Sequence, residues 1–354
     1  MIKGIEIFIV RLIFLIKRTR NRMQPDRTIG ITSTVPVEII YAAGLVPVDI
    51  NNLFIASADP VRLVRAAKMD GFPDTTCGWI CGLYGSIMER GIKRVVAVTG
   101  GDCAETIALI EVLRMKGVDV TSFAYPASRD GKRLFAEMRG FAASLGASMR
   151  EAEKQKKRLD AVRQRIHLLD ELLWREGRCA GGEVRLLELS ASDFEGDPEA
   201  LLARVNEKIA EAGSREPLPG SIRLGVAGVP PIITDLYEVL EREGARVIFS
   251  EVERQFTLPA GGDLCESYLR YTYPYGIYAR CEDIAREVRR RRIDGLIHYA
   301  QAFCFRGIED IVLRKQIGVP VLTLQGDLPS RVTETMRVRI EAFLDMLARK
   351  RGRP

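Results

Sequence analysis

The sequence predicts an α/β fold of two doubly wound parallel-sheet domains with a helical segment between them. Three observations predict it. Short apolar, β-branched runs alternate with helix-period segments before residue 130 and again after residue 221, the order that builds parallel sheets covered by helices. Residues 95–99, VVAVT, form one continuous run dominated by β-branched residues, as expected for a strand buried on both faces. Between the two alternating stretches, residues 131–178 are rich in charge and carry Leu134, Met138, Phe141 and Leu145 at helical spacing.

The first α/β domain is expected over residues 28–130. Residues 36–43 read as a helix opened by Pro36 and stopped by Gly44. A short strand follows at 46–50, the buried strand at 95–99, a helix at 104–116 ended by Gly117, and another strand at 120–124. The helical connecting segment is expected over 131–220, with one long helix at 149–174. Its charges read as solvated faces rather than a nucleic-acid patch, and residues 215–220, with Pro217, Pro219 and Gly220, read as a linker.

The second α/β domain is expected over 221–354. Its strands are placed at 222–227, 246–250, 295–299 and 319–324. Its helices are placed at 232–243, 282–292, 308–317 and 332–349, with a turn at 228–231. The two domains suggest a pseudo-repeat, although no short sequence repeat marks it. Residues 1–27 read as an extension. The apolar run at 5–16 is broken by Arg11 and followed by Lys17, Arg18, Arg20 and Arg22. It is too short for a stable membrane span, and its charge follows the run instead of preceding it, unlike a signal peptide. An upstream extension with Met23 as the natural start is the preferred reading; a short amphipathic membrane anchor is the alternative.

The composition, 47% hydrophobic and 28% charged over 354 residues, is that of an ordinary soluble globular chain. The net charge of +6 permits an acidic ligand, such as a nucleotide-bearing thioester, without demanding one. Seven cysteines without dense spacing argue against a secreted disulfide scaffold. In a cytoplasmic protein such thiols are either buried filler or metal ligands.

Two cysteines stand out. Cys103 follows the strand at 95–99 through Gly100, Gly101 and Asp102, and Cys304 follows the strand at 295–299. Functional groups of open α/β sheets gather at the carboxyl ends of strands, and a helix N-terminus favours a thiolate or an anionic cluster. One cysteine from each α/β unit is thus expected to face an interdomain cleft. Cys77 and Cys81 lie four apart, on one side of the segment if it is helical. They read either as one or two cluster ligands or as a core-facing turn beside Trp79 and Leu83. Three thiolates suit a [4Fe-4S] cluster with one iron left open. Zinc fits less well, since no CxxC pair exists and His167 sits in the long helical stretch.

His298, on a buried strand near Cys304, reads either as an orienting group for substrate or cluster or as a structural core histidine. Cys179 reads as an ordinary thiol. Cys265 and Cys281 are candidate extra ligands for a larger cluster. Residues 225–228, GVAG, make a weak dinucleotide fingerprint, because Pro230 and Pro231 replace its usual continuation. Walker A and GxSxG motifs are absent from the sequence.

The run TVPVEIIYAAGLVPV at 34–48 resembles the opening motif of 2-hydroxyacyl-CoA dehydratase and benzoyl-CoA reductase subunits. YPYG at 273–276, IDG at 293–295 and HYAQAFC at 298–304 resemble the second-domain motifs of that family. GDLP at 326–329 and RIEAFLDML at 339–347 resemble its C-terminal signature. The resemblance runs from about residue 29 to the end. It implies two α/β domains around a [4Fe-4S] cluster held by three cysteines, which carry over as Cys103, Cys304 and Cys77, with Cys81 as the other choice for the first ligand. Many relatives have a further cysteine near Thr32 or Ser33, and this chain does not.

The resemblance further implies an oxygen-labile, anaerobic, cytoplasmic enzyme acting on an acyl-CoA substrate, either a lyase or a reductase subunit. The implied chemistry is one-electron: reduction of the thioester carbonyl gives a ketyl radical, which expels the 2-hydroxyl and acidifies the β-proton. Implied partners are a paralogous subunit or a second copy in a homodimer, and an ATP-dependent iron–sulfur activator protein. Nucleic acid is not an expected partner. Glu38 and Gln301 are candidate contacts to cluster water or substrate; the bland readings are a solvent-facing helix residue for Glu38 and a loop-stabilising hydrogen bond for Gln301. Two other functions stay open: a low-potential reductase with a double-cubane [8Fe-9S] cluster, and a non-catalytic electron-transfer or cluster-assembly partner.

Overall fold

A computed structural model describes residues 25–259 and 261–352. Nearly all of the 1–27 extension, and with it the choice between an anchor and a start at Met23, lies outside the described residues. Among the described residues, no helix is long and apolar enough to cross a membrane.

Two four-stranded, all-parallel sheets organise the chain. The first contains β1 (Thr28–Ile31), β2 (Val46–Asp49), β3 (Arg94–Gly100) and β4 (Asp119–Ala124), in the order β2-β1-β3-β4. The second contains β5 (Ile222–Gly228), β6 (Ala245–Ser250), β7 (Gly295–Gln301) and β8 (Val321–Gly326), in the order β6-β5-β7-β8. The fold class is the expected one, and the shared strand order makes the pseudo-repeat real at the level of topology. Each sheet reverses direction of growth once, between β1 and β3 and between β5 and β7. Crevices for ligands open at the carboxyl ends of strands at such reversals.

The burial pattern explains the strands. Val95, Val96, Ala97 and Val98 of β3 and Leu296 and Ile297 of β7 are all buried, so these strands read as unbroken apolar runs instead of alternating ones. Packing divides the chain into two compact units. One comprises residues up to 159 with 192–198 and 263–265; the other comprises 160–191, 199–262 and 266 onward. Residues 131–220 therefore do not form a body of their own. They supply helices to both units.

Several boundaries differ from the sequence reading for identifiable reasons. The helix expected at 232–243 is Leu236–Arg242. Residues before it are drawn off as an extended bridge, with Ile233 paired to Ser330 and the Thr234 N–H donating to the Ser330 carbonyl. The long helix ends at Glu171 and continues as a wide turn over Leu172–Glu176, stopped by Gly177 at φ +73°. The helix Pro60–Met69, which sequence reasoning missed, starts on an Asp59 carboxylate that accepts the Arg62 N–H. It packs closely on the helix Gly78–Arg90, where a Cβ on Gly85 would lie 2.3 Å from the Leu63 carbonyl oxygen. That contact fixes the segment that carries Cys77.

Candidate metal centre

In the first unit, Cys77 is the last residue before the helix Gly78–Arg90, and its carbonyl accepts the Cys81 N–H in the first turn. Cys77 is buried, with its backbone N–H donating to Oε2 of Glu105 at 3.3 Å. Cys81 is fully buried, its sulfur directed at the Thr76 carbonyl. Trp79 meets Phe54 edge-on. β3 ends at Gly100, where a Cβ would stand 2.9 Å from the Tyr125 carbonyl, and Gly101 turns the chain at φ +83°. The half-buried Cys103 follows, its carbonyl accepting the Thr106 N–H, and the helix Glu105–Met115 begins two residues later. Both cysteines thus stand at helix N-termini, where unsatisfied N–H groups and the helix dipole stabilise negative sulfur.

Glu105 joins the two loops. Burial raises its carboxyl pKa, and the Cys77 N–H works against that rise. Glu38, on the helix Val37–Ala42, is fully buried. This overturns the solvent-facing reading and leaves a carboxyl enclosed within the first unit. A second acidic feature was missed entirely. Asp193 accepts the Asp49 N–H at 2.7 Å and the Glu195 N–H at 2.8 Å, and its carbonyl takes the Tyr41 hydroxyl. Burial and the Asp49 charge push Asp193 up to about 8, and burial raises Asp49 as well.

In the second unit, β7 runs to Gln301 and the half-buried Cys304 follows. Phe303 holds a left-handed φ of +62°, uncommon for a bulky residue. Phe303, Phe305, Ile308 and Ile311 are exposed, so an apolar surface flanks Cys304. Gln301 is buried and uses both ends of its amide: its Oε1 accepts the Tyr299 hydroxyl at 2.9 Å and its Nε2 donates to the Asp327 carbonyl at 2.7 Å. His298 is buried with Nδ1 2.7 Å from Oδ1 of Asp310. Burial lowers the imidazole pKa and Asp310 counters it. A neutral ring donating Nδ1–H to the carboxylate, with the proton off Nε2, satisfies that contact.

Behind this loop lies a buried ionic network. Arg280 and Glu251 are fully buried and pair through two hydrogen bonds of 2.7 and 2.9 Å. Glu251 also accepts the Gly228 N–H at 2.9 Å. The glycine turn read as a weak dinucleotide fingerprint is therefore directed at a buried acid. Burial resists ionisation of Glu251, but Arg280 overrides it and holds the carboxyl below its ordinary range. Glu309 ties Arg280 and Arg306 to the same loop.

The remaining candidates lie in other settings. Cys179 and Cys281 are buried thiols, each pushed up to about 11 by burial. Cys265 donates to the Gly131 carbonyl at 3.3 Å. His167 meets the Thr257 hydroxyl at 2.9 Å, as a satisfied histidine would. No described cysteine is in a disulfide. Among the described residues, no three His, Cys, Asp or Glu side chains gather into a site for a single metal ion. Cys77 and Cys103 in the first unit, and Cys304 in the second, are thiols, the usual donor type of iron–sulfur clusters.

Sequence reasoning missed Glu105, Asp310, Tyr299 and the Asp49–Asp193 pair. Glu105 and Asp310 each open a helix shortly after a candidate cysteine, a position where acids are favoured for helix reasons alone, so their types carried no separate signal. The family model described as 2-hydroxyglutaryl-CoA dehydratase, D-component, matches residues 32–347. No curated protein matches the chain.

Proposed function

The chain belongs to the 2-hydroxyglutaryl-CoA dehydratase D-component family, and on that premise we propose that it is the iron–sulfur subunit of a 2-hydroxyacyl-CoA dehydratase-like or acyl-CoA reductase-like enzyme. In this proposal Cys77, Cys103 and Cys304 hold a [4Fe-4S] cluster. One observation carries it: Cys103 and Cys304 occupy equivalent places in the two sheets, on the loops after β3 and β7, the strands beside the order reversals. A duplicated topology that puts a half-buried thiol at the functional edge of both sheets supports a shared role.

When bound, the cluster would supply a low-potential electron and an open iron able to act as a Lewis acid. The polypeptide does the rest. Helix N-termini behind Cys77 and Cys103 stabilise thiolate charge. Glu38 is the enclosed carboxyl proposed to contact the acyl substrate. His298 keeps its proton at Nδ1 against Asp310 and offers Nε2 as an acceptor. Gln301 acts through the loop, because both ends of its amide are already engaged. Cys179 and Cys281, with thiols raised by burial, suit structural roles better than ligation of a second cubane. The proposed partners are an acyl-CoA, a paralogous subunit or second copy, and an ATP-dependent activator; the proposed compartment is the cytoplasm.

Anaerobic purification with iron and sulfide analysis tests this reading. About four irons per chain are expected, with serine in place of Cys77, Cys103 or Cys304 each abolishing the brown chromophore and alanine in place of Cys81 keeping it. A colourless protein purified without oxygen would overturn it. Turnover of a 2-hydroxyacyl-CoA with activator and ATP then tests the activity.

A further inference from the structure

Resting on the proposed role of Cys304, we propose that Asp310 is a positioning residue for the Cys304 loop, acting through His298 as the buckle of a clasp. The loop over residues 302–309 leaves β7 and returns at the helix Asp310–Gln316. His298 lies just before the loop and Asp310 just after it, and their 2.7 Å contact closes the loop at its base. Asp310 is anchored in turn. Its Oδ1 accepts the Thr323 hydroxyl of β8 at 2.5 Å, and its Oδ2 accepts Arg314 Nε at 2.6 Å. The carboxylate therefore ties together the strand before the loop, the adjacent strand and the helix after it.

A second strap runs along the other side. Tyr299 donates to Gln301, Gln301 donates to the Asp327 carbonyl, and the Ala302 N–H donates to the Gly326 carbonyl at 2.7 Å. Between the straps, Phe303 sits at a positive φ immediately before Cys304. A bulky residue stays in that region only when its surroundings over-determine it. The clasp supplies that determination, and so sets where the Cys304 sulfur points.

The test compares the full-length protein with D310A and D310N, stripped of iron and alkylated anaerobically with iodoacetamide, with each cysteine read by mass spectrometry. Asparagine keeps an acceptor for the His298 Nδ1–H; alanine does not. D310A is expected to speed alkylation of Cys304 about tenfold, the scale of losing one buried hydrogen bond, while D310N restores most of the wild-type rate. Cys103, in the other unit, serves as the internal reference and should react at the wild-type rate in both variants. An unchanged Cys304 rate in D310A, a parallel rise at Cys103, or failure of asparagine to restore the rate would overturn the clasp. Iron content of the same preparations before stripping reads the cluster proposal separately, so a wild-type protein without iron would sink that proposal and leave the alkylation result standing on its own.

Discussion

The Cys77 backbone N–H donates to Oε2 of Glu105 across 3.3 Å, so the segments carrying Cys77 and Cys103 are joined by residues 28 positions apart in sequence. Each loop ends in a candidate ligand followed by a helix N-terminus. Replacing Glu105 by alanine should free the Cys77 loop at a global cost of about 1 kcal/mol or less. Faster alkylation of Cys77 in iron-free protein, with glutamine restoring the slow rate, is the expected outcome. Equal rates in all three proteins would show that the contact does not hold the loop.

Arg280 is fully buried between Glu251 and Glu309. Removing the arginine leaves the Glu251 charge buried without its counter-ion, a loss of roughly 3–5 kcal/mol. R280A should therefore unfold at markedly lower denaturant, and the double variant E251Q/R280M should recover much of the loss. A midpoint within error of wild type for R280A would refute the network's role.

The Asp49–Asp193 pair predicts an inverted pH dependence. Both carboxyls are raised in the fold, Asp193 to about 8 from an ordinary 3.8. The folded state then holds protons that the unfolded state releases, so this contribution is full at low pH and is lost as pH rises towards about 8. Denaturation midpoints of wild type and D193N, followed from about pH 5 to about pH 8.5, should show the wild type losing more stability with rising pH than the variant. Parallel curves would remove the pair from the account.

Cys179 and Cys281 are buried, with thiols raised to about 11. At mildly alkaline pH they carry little thiolate, and native-state labelling should reach them after Cys103 and Cys304. Alanine at Cys281 should leave the iron content unchanged. Loss of about half of the iron in that variant would instead favour a larger cluster.

Gly85 meets the Leu63 carbonyl so closely that an added Cβ would lie 2.3 Å from it. G85A should cost about 1–3 kcal/mol by forcing two helices apart, visible as a lower melting temperature. An unchanged melting temperature would mean that the helix pair tolerates separation.

The fold was legible because its signals are local. Continuous apolar strands such as 95–98, glycine stops such as Gly117 and helix periods such as Leu134 to Phe141 all report on nearest neighbours along the chain. The helix Gly181–Ser190 was hard to read because its periodicity is weak, whereas Pro60–Met69 was missed although Asp59, Pro60 and an apolar face at helical spacing are written in the sequence. Boundaries moved through tertiary contacts: Ile233 and Thr234 pair with Ser330, so the helix expected from 232 starts only after Asp235.

By itself the sequence determined the α/β class, the two sheets and the placing of Cys103 and Cys304 just after a strand of each, since side-chain period and strand–loop–helix order are written along the chain. Tertiary structure alone decided that Glu38 is enclosed, that Asp310 holds His298, that Glu105 reaches Cys77, and that Asp49 and Asp193 must share a buried setting. The physical reason is that burial and hydrogen bonding depend on which residues meet in space, and for Asp49 and Asp193 those partners are 144 positions apart.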